Sequence, residues 1–480
     1  MDKQDRQTEV HRYRTAIGRA GFSRPIRLAL EARLITPDRT VFDFGCGRGQ
    51  DLSLLSRQGI IADGWDPNHR SEGSLKTADV VNLGYVLNVI EDAEERQQVV
   101  QDAWSLAGSL LIVAARLDIE AKMLQASPYG DGCCTRCGTF QKLYGQQELR
   151  DWLASTLAHP TVPAAPGVIL IFRDEALRQS YLAARYTRRR AAPRIRQADR
   201  IYEEHQQTLE PLISFLSQYG RTPAPYELEN FEELQNDVGS IRQAQSILRR
   251  VIGDTVWANV AEERKTELLV HFATEKITGR PKFSDLPDHM QLDIKAFFSS
   301  YKQICHQADK LLYAVGDPEQ RHEAMRQSRT GKLTGNALYV HIDALSEVPA
   351  VLQVYEGCAR QYVGDTEGGN VVKMARDDAK ISYLMYPDFR RDPHPAIQGS
   401  LVVPLGRPKI RYHDYSETPN PSVLHRKEDM VSDRDPERDK YLRLTRHEEQ
   451  WGLYEDPSSI GTRKGWYQAL RCKGLRHKGH

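Results

Sequence analysis

The chain has 480 residues, of which 40% are hydrophobic and 27% are charged, as is usual for a protein with several packed cores. The formal net charge of +1 excludes a general attraction to nucleic acid, so any basic contact surface must be local. The sequence contains no run of about 18 apolar residues, so we expect no membrane span. Its seven cysteines are scattered and it has no apolar N-terminal segment, which argues against secretion. We expect about two to four domains and a cytoplasmic location.

A strand, a glycine turn and a helix start follow one another over residues 40–51. The apolar run 41–44 predicts a buried strand, and Gly45, Gly47 and Gly49 come next at alternate positions before a helical pattern begins at Asp51. Glycine tolerates positive φ and lets a ligand approach the backbone closely. The N–H groups at a helix start favour a polar or negatively charged ligand.

A second acidic residue, Asp66, ends the next strand-like run about 20 residues on, where an acid receives ribose hydroxyls in sheets of this kind. The spacing G-x-G-x-G differs from the dinucleotide fingerprint G-x-G-x-x-G. The order of glycines, helix and second acid resembles class I S-adenosylmethionine-dependent methyltransferases. The resemblance implies S-adenosyl-L-methionine as cofactor, and its binding residues would be Asp43, Gly45, Cys46, Gly47, Gly49 and Asp66. The alternatives are a turn for another nucleotide ligand, or a turn that binds nothing.

The next strand is predicted over residues 79–83, very soon after Asp66. In the usual methyltransferase order another strand comes between the two and often carries an acid beside the adenine. Only residues 67–78 are available for it here, so we expect this element to be shortened or missing. The adenine contact therefore cannot be assigned from the sequence.

Asn82-Leu83-Gly84-Tyr85 stands where amino-group methyltransferases of nucleic acids carry (Asp/Asn)-Pro-Pro-(Tyr/Phe). In that motif an amide or carboxylate oxygen accepts a hydrogen bond from the target amine, and the aromatic ring stacks on the base. Asn82 and Tyr85 match the outer positions and are the candidate catalytic residues, whereas leucine and glycine replace both prolines. The alternative is an ordinary strand end at which Tyr85 packs on the cofactor.

Strands and helices alternate up to residue 172, which predicts a doubly wound, mostly parallel α/β sheet like that of class I methyltransferases. Residues 116–145 form a long polar loop over its carboxyl edge, and we interpret it as a lid or substrate loop. In this loop Cys134 and Cys137, with Cys133 beside them, have the spacing of half a zinc site. No further ligand lies nearby in sequence, so we favour free thiols and predict no metal.

The most basic stretch of the chain follows this domain, at residues 181–200. Arg188, Arg189 and Arg190 form its centre and could contact the phosphate backbone of a nucleic acid, while a solvated linker helix is an equal alternative. Residues 200–328 have a helical pattern, and strand-like runs alternate with turns after residue 329. We thus predict three domains: a class I methyltransferase-like domain (1–175), a basic linker with a helical domain (176–328), and an α+β domain of unknown role (329–480).

Two C-terminal segments, residues 386–395 and 411–415, hold Asp, His and Arg close together in sequence. Metal or phosphate binding is one interpretation of these segments. A hydrogen-bonded loop is the interpretation that we favour.

From about residue 10 to 455, the chain resembles the DNA phosphorothioation-associated methyltransferases. The stretches that carry this resemblance are RTAI (14–17), VFDFGCGRGQD (41–51), NLGYVLNVIE (82–91), GTFQK (138–142), YPDF (386–389) and LHRKE (424–428). It implies a nucleic-acid substrate, DNA above all, and partner proteins from a DNA sulfur-modification or restriction system. We therefore predict methylation of a base amino group. The alternatives are a non-catalytic DNA-binding accessory or sensor that holds the methyl donor, and a small-molecule or tRNA methyltransferase.

Overall fold

The computed structural model describes residues 12–15, 21–123, 126–186, 200–406 and 409–475. The chain divides into two compact units: Met1–Asp174 with Pro318–His480 form the first, and Glu175–Asp317 form the second. The sheets belong to the first unit, and the described part of the second unit is helical. Among the described residues, no helix is both long enough and apolar enough to cross a bilayer.

The N-terminal part of the first unit alternates strands with helices. Its strands are β1 (Val41–Phe44), β2 (Ala62–Trp65), β3 (Ala78–Gly84), β4 (Ala107–Ala114), β5 (Ala126–Tyr129), β6 (Gly132–Thr135), β7 (Phe140–Gln141), β8 (Val162–Ala165) and β9 (Val168–Phe172). Its helices are α1 (Arg24–Glu31), α2 (Gln50–Arg57), α3 (Ala93–Leu106) and α4 (Gln146–Leu157), with 3₁₀ turns at Arg12–Thr15 and Asp118–Met123.

The main sheet has six strands in the order β2-β1-β3-β4-β9-β8. The first four strands pair in parallel, and β9 and β8 are antiparallel at one edge. From β1 the chain leads to β2 on one side and then to β3 on the other, so the strand order reverses beside β1. Ligands of open α/β sheets bind at the carboxyl ends of the strands at such a reversal. The predicted doubly wound, mostly parallel sheet is confirmed.

Strand β9 is a continuous apolar run, and β1 is apolar except for Asp43. Every residue of β1 and β9 is buried, as in sheets covered on both faces. Residues 66–77, all of which are described, form no strand between β2 and β3. The expectation that this element is shortened or missing is confirmed.

The helical second unit consists of α5 (Glu175–Ala184), α6 (Arg200–Glu204), α7 (Gln206–Tyr219), α8 (Phe231–Asp237), α9 (Ile241–Ile252), α10 (Asp254–Glu275), α11 (Asp288–Phe298) and α12 (Tyr301–Gly316), with 3₁₀ turns at Pro225–Glu227 and Phe283–Asp285. Its interior contains charged groups in mutual contact. Arg221 and Arg264 both bind the fully buried Asp293, at 2.5 and 2.8 Å. Each arginine has a further carboxylate partner, Glu227 for Arg221 and Glu267 for Arg264, so the buried charges form a network.

The C-terminal part of the first unit contains α13 (Pro318–Gln327), β10 (Lys332–Leu333), β11 (Ala337–His341), α14 (Ala350–Val363), β12 (Gly369–Ala375), β13 (Lys380–Met385), β14 (Gly399–Pro404), β15 (Arg411–Asp414), α15 (Arg438–Gln450) and α16 (Arg463–Cys472), with 3₁₀ turns at Ile342–Glu347 and Lys427–Asp429. Strands β10 to β15 form an antiparallel six-stranded sheet in sequence order. The helical segment followed by an α+β segment is thus confirmed.

This C-terminal part packs against the edge strand β8 of the main sheet. Gly364 has φ +74°, and a Cβ on it would lie 2.3 Å from the carbonyl carbon of Ala164, so only glycine fits there. The next residue, Asp365, donates its backbone N–H to the carbonyl oxygen of Ala164 at 2.7 Å. Glu367 then forms ion pairs with Arg24 and Arg27 of α1, at 3.1 and 2.7 Å.

Candidate functional site

The glycine turn after β1 lies at the carboxyl edge of the main sheet. Gly45, Gly47 and Gly49 have φ values of +83°, +53° and +75°, which residues other than glycine rarely adopt. A Cβ at Gly45 would lie 2.4 Å from a methyl carbon of Val86, in the loop after β3. Gly49 is the N-cap of α2, so no side chain caps the first N–H groups of this helix. The turn therefore presents backbone to the reversal point of the sheet.

Asp66 follows β2 and is held by backbone donors. Its Oδ2 accepts a hydrogen bond from Gly47 N at 3.0 Å, and its Oδ1 accepts from Asn68 N and His69 N at 2.9 Å each. The carboxyl group that the sequence assigned to ribose binding is therefore in direct contact with the glycine turn. Its orientation is fixed by the fold alone.

Asp43 and Asn82 face each other on neighbouring strands, in register between β1 and β3. Both side chains are buried, and Asn82 Nδ2 donates to Asp43 Oδ1 at 2.7 Å. A carboxylate only accepts, so the amide nitrogen must face Asp43. The amide oxygen of Asn82 is buried and has no hydrogen-bond partner among the described residues. Asn82 also lies within β3, which continues to Gly84.

Tyr85 directly follows β3 and has φ +63°, an uncommon conformation for a residue with a side chain. Its backbone N–H donates to the carbonyl of Ala114, the last residue of β4, at 2.7 Å. The next residue, Val86, packs on Gly45. Strained backbone of this kind persists where the surroundings impose it, and it is frequent at functional sites. The loop that carries Tyr85 is thus fitted against the glycine turn.

Cys46 lies between the first two glycines. Burial, and then the charge of Asp43, raises the pKa of its thiol to about 12. The thiol is therefore protonated at neutral pH, and a nucleophilic thiolate is excluded at this position.

Residues 126–141 of the predicted lid fold into a small antiparallel sheet, β5-β6-β7. Cys133 and Cys134 are neighbours on β6, and successive side chains of a strand point to opposite faces. Among the described residues, no three His, Cys, Asp or Glu side chains are grouped so that they could hold a metal ion.

Asn88 anchors the two ends of the predicted lid, and sequence reasoning missed it. This residue is buried, its Oδ1 accepts from Arg116 N at 2.9 Å, and its Nδ2 donates to Lys142 O. The only signal in the sequence was a polar residue inside the apolar run 86–90.

Arg188, Arg189 and Arg190 lie outside the described residues. Of the two C-terminal segments singled out above, 411–415 lies largely in the edge strand β15. The segment 386–395 contacts the stretch 424–428, because Lys427 Nζ donates to Phe389 O and Asp392 O at 2.6 and 2.8 Å. The ring of His394 bonds to Leu424 O at 3.1 Å through Nδ1, and to Glu448 Oε1 at 2.6 Å through Nε2. Burial lowers the pKa of Lys427 to about 8. These residues are thus tied together as a hydrogen-bonded loop.

No protein-family model matches the chain, and no curated protein matches it. Among solved structures, it is similar to 1,6-didemethyltoxoflavin-N1-methyltransferase from Burkholderia thailandensis, at 14% identity over 35% of this chain and 80% of that one, with a TM-score of 0.23. It is also similar to magnesium protoporphyrin IX methyltransferase from Synechocystis PCC 6803, at 14% identity over 34% of this chain and 93% of that one, with a TM-score of 0.24. Both were solved with bound S-adenosylhomocysteine.

Proposed function

We propose that this protein is a methyltransferase that binds S-adenosyl-L-methionine at the carboxyl ends of β1, β2 and β3. The observation that carries the proposal is the hydrogen bond between Gly47 N and Asp66 Oδ2 at 3.0 Å, beside the point where the strand order reverses. A glycine turn and an acid after the next strand are what a nucleoside-containing ligand needs in this architecture.

The residues present fit this cofactor. Its positively charged sulfonium and ammonium groups suit the acidic pair Asp43 and Asp66, and a ribose hydroxyl suits the carboxylate of Asp66. The amide oxygen of Asn82 is buried and has no hydrogen-bond partner within the described ranges, so it can accept a hydrogen bond from a ligand N–H group. The backbone of the turn is accessible to the cofactor because Gly45, Gly47 and Gly49 have no side chains. The thiol of Cys46, between the first two glycines, is uncharged.

When bound, S-adenosylmethionine supplies an electrophilic methyl group, so the protein needs no strong base to activate a neutral amine. We propose that Asn82 and Tyr85 bind the substrate that accepts the methyl group. Asp43 fixes the amide orientation of Asn82 so that Oδ1 can accept from the amine and stabilise the charge that develops on it. Tyr85 would stack on the ring that carries the amine.

We propose nucleic acid, and specifically an amino group of a DNA base, as the substrate. The support comes from the resemblance of the sequence to DNA phosphorothioation-associated methyltransferases and from the arginine-rich stretch around Arg188, Arg189 and Arg190. Proteins of a DNA sulfur-modification or restriction system would then be partners. A small molecule or tRNA is the second candidate, because Leu83 and Gly84 replace the two prolines and because Asn82 is buried inside β3.

Cofactor binding is tested by calorimetry with S-adenosylhomocysteine on the unchanged protein and on two aspartate variants. Asp66→Ala should weaken binding because it removes the acid at the glycine turn. Asp63→Ala is the matched control, because Asp63 lies on β2, the strand that Asp66 follows, but pairs with Lys76 at 2.5 Å. No binding by the unchanged protein, or equal affinities of the two variants, would overturn the proposal.

The substrate is tested with S-adenosylmethionine that carries a labelled methyl group, offered with DNA, RNA or a small-molecule extract. Label in DNA supports the base-amine proposal, and label only in tRNA or in a small molecule supports the second candidate. Cofactor binding without transfer to any of them would support a sensor that holds the methyl donor.

A further inference from the structure

The strand that usually carries the adenine contact does not form here, although residues 66–77 are fully described. Those residues instead fold back on the end of β2. Arg70 N donates to Asp66 O at 3.0 Å, and Gly73 N donates to Arg70 O at 3.3 Å. Asp66 and Arg70 thereby form an isolated antiparallel bridge. The backbone of Arg70 is thus fixed directly beside the acid that we assign to the ribose.

The side chain of Arg70 extends from this loop to the glycine turn. A Cβ placed on Gly49 would lie 2.5 Å from Nη1 of Arg70 and 3.5 Å from its Cδ and Cζ. The absence of a side chain at Gly49 is therefore what allows the guanidinium to rest on the turn. Arg70 thus connects the two segments of the proposed cofactor site: its backbone pairs with Asp66, and its side chain reaches the glycine turn.

The guanidinium of Arg70 keeps its donors available. Its side chain is exposed, and among the described residues no hydrogen bond or ion pair involves the guanidinium. The nearby carboxylates are engaged elsewhere, since Asp63 pairs with Lys76 at 2.5 Å and Asp66 accepts three backbone N–H groups. A planar guanidinium with free donors can stack on an aromatic base and can donate to its ring nitrogens.

We propose that Arg70 contacts the adenosine part of the cofactor, in place of the residue that the missing strand would supply. This inference rests on the proposed function, because it assumes the cofactor at Asp66 and the glycine turn. It makes Arg70 a determinant of purine recognition that does not take part in methyl transfer itself.

The test compares two ligands, S-adenosylhomocysteine and 5′-methylthioadenosine, by calorimetry. The second ligand keeps the adenosine and lacks the amino-acid part with its carboxylate. Arg70→Ala should weaken the affinity for both ligands by the same factor, about 2- to 30-fold, which is the range of a cation–π contact. The affinity of Arg70→Lys should lie between those of the unchanged protein and Arg70→Ala, because lysine keeps the positive charge but lacks the planar guanidinium. Arg57→Ala, at the exposed end of α2, is the matched control and should leave both affinities unchanged.

The outcomes separate this inference from the proposed function. If Arg70→Ala keeps the full affinity for both ligands, or if only the affinity for S-adenosylhomocysteine falls, Arg70 does not contact the adenosine. The second result would assign Arg70 to the carboxylate of the amino-acid part. If the unchanged protein binds neither ligand, the proposed function itself is wrong. Because Arg70 is exposed, its variants should unfold at the same urea concentration as the unchanged protein, which confirms that a reduced affinity is a local effect.

Discussion

Replacement of Asn82 by alanine should destabilise the protein and separate the two roles that this residue could have. The variant removes the amide that donates to Asp43 Oδ1 at 2.7 Å, in a place where Asp43 is 4% exposed and water cannot substitute freely. A buried acceptor that loses its donor costs about 1–3 kcal/mol, and more when it is charged. We therefore expect a loss of at least about 1 kcal/mol in the free energy of unfolding, measured with urea.

Asn82→Asp keeps the shape and changes the charge. It puts two carboxyl groups in contact, so one of them stays protonated in the folded state at a pH where both ionise in the unfolded chain. A folded-state pKa above the unfolded value contributes stability at low pH that is lost as the pH rises. This variant should therefore be less stable at pH 8 than at pH 5, relative to the unchanged protein.

Calorimetry with S-adenosylhomocysteine and a methyl-transfer assay on Asn82→Ala decide its role. Abolished transfer with retained cofactor affinity would support the acceptor role, and parallel losses would place Asn82 on the cofactor side. Asp79→Asn is the control, because Asp79 binds Thr40 at the other end of β3 and should affect stability alone. If Asn82→Ala changes neither stability nor affinity, the argument from the buried pair is refuted.

Three further predictions concern separate parts of the chain. Gly45→Ala should lower both stability, by at least about 1–2 kcal/mol, and cofactor affinity, because its φ is +83° and the added carbon would meet a valine methyl. Burial lowers the pKa of His271 to about 3, so the free energy of unfolding should fall by about 1.4 kcal/mol per pH unit as the pH drops below about 6.5. Urea unfolding of His271→Gln should show a weaker dependence on pH. Replacement of Arg188, Arg189 and Arg190 by alanine should weaken DNA binding, measured by titration at several salt concentrations. The slope of log K against log salt concentration should fall by about 0.9 for each phosphate that the variant no longer neutralises.

Local signals in the sequence were sufficient for the first half of the site. An apolar run that ends in glycines and continues as a helical pattern determines β1, the turn and α2, because each of these depends on neighbouring residues. The short interval after Asp66 likewise predicted that the strand there would be shortened or missing. These features needed no knowledge of distant parts of the chain.

Other elements could not be predicted because tertiary packing decides them. β8 contains Pro163, which argues against a strand, yet proline is tolerated because β8 lies at the edge of the sheet. β15 is exposed throughout and has no apolar alternation to indicate it. The approach of Arg70 to Gly49 has no local signal in the sequence, because the two residues come close only in the folded chain.

The hydrogen bonds of Asp66 fix the orientation of its carboxylate before the proposed ligand binds. A carboxylate has about four lone-pair positions. Asn68 N and His69 N use both positions of Oδ1, and Gly47 N uses one of Oδ2. One position on Oδ2 remains for a hydroxyl group, and it lies next to the glycine turn because Gly47 holds the same oxygen. The cost of orienting this acid is therefore met during folding, which is the condition for tight binding by few contacts.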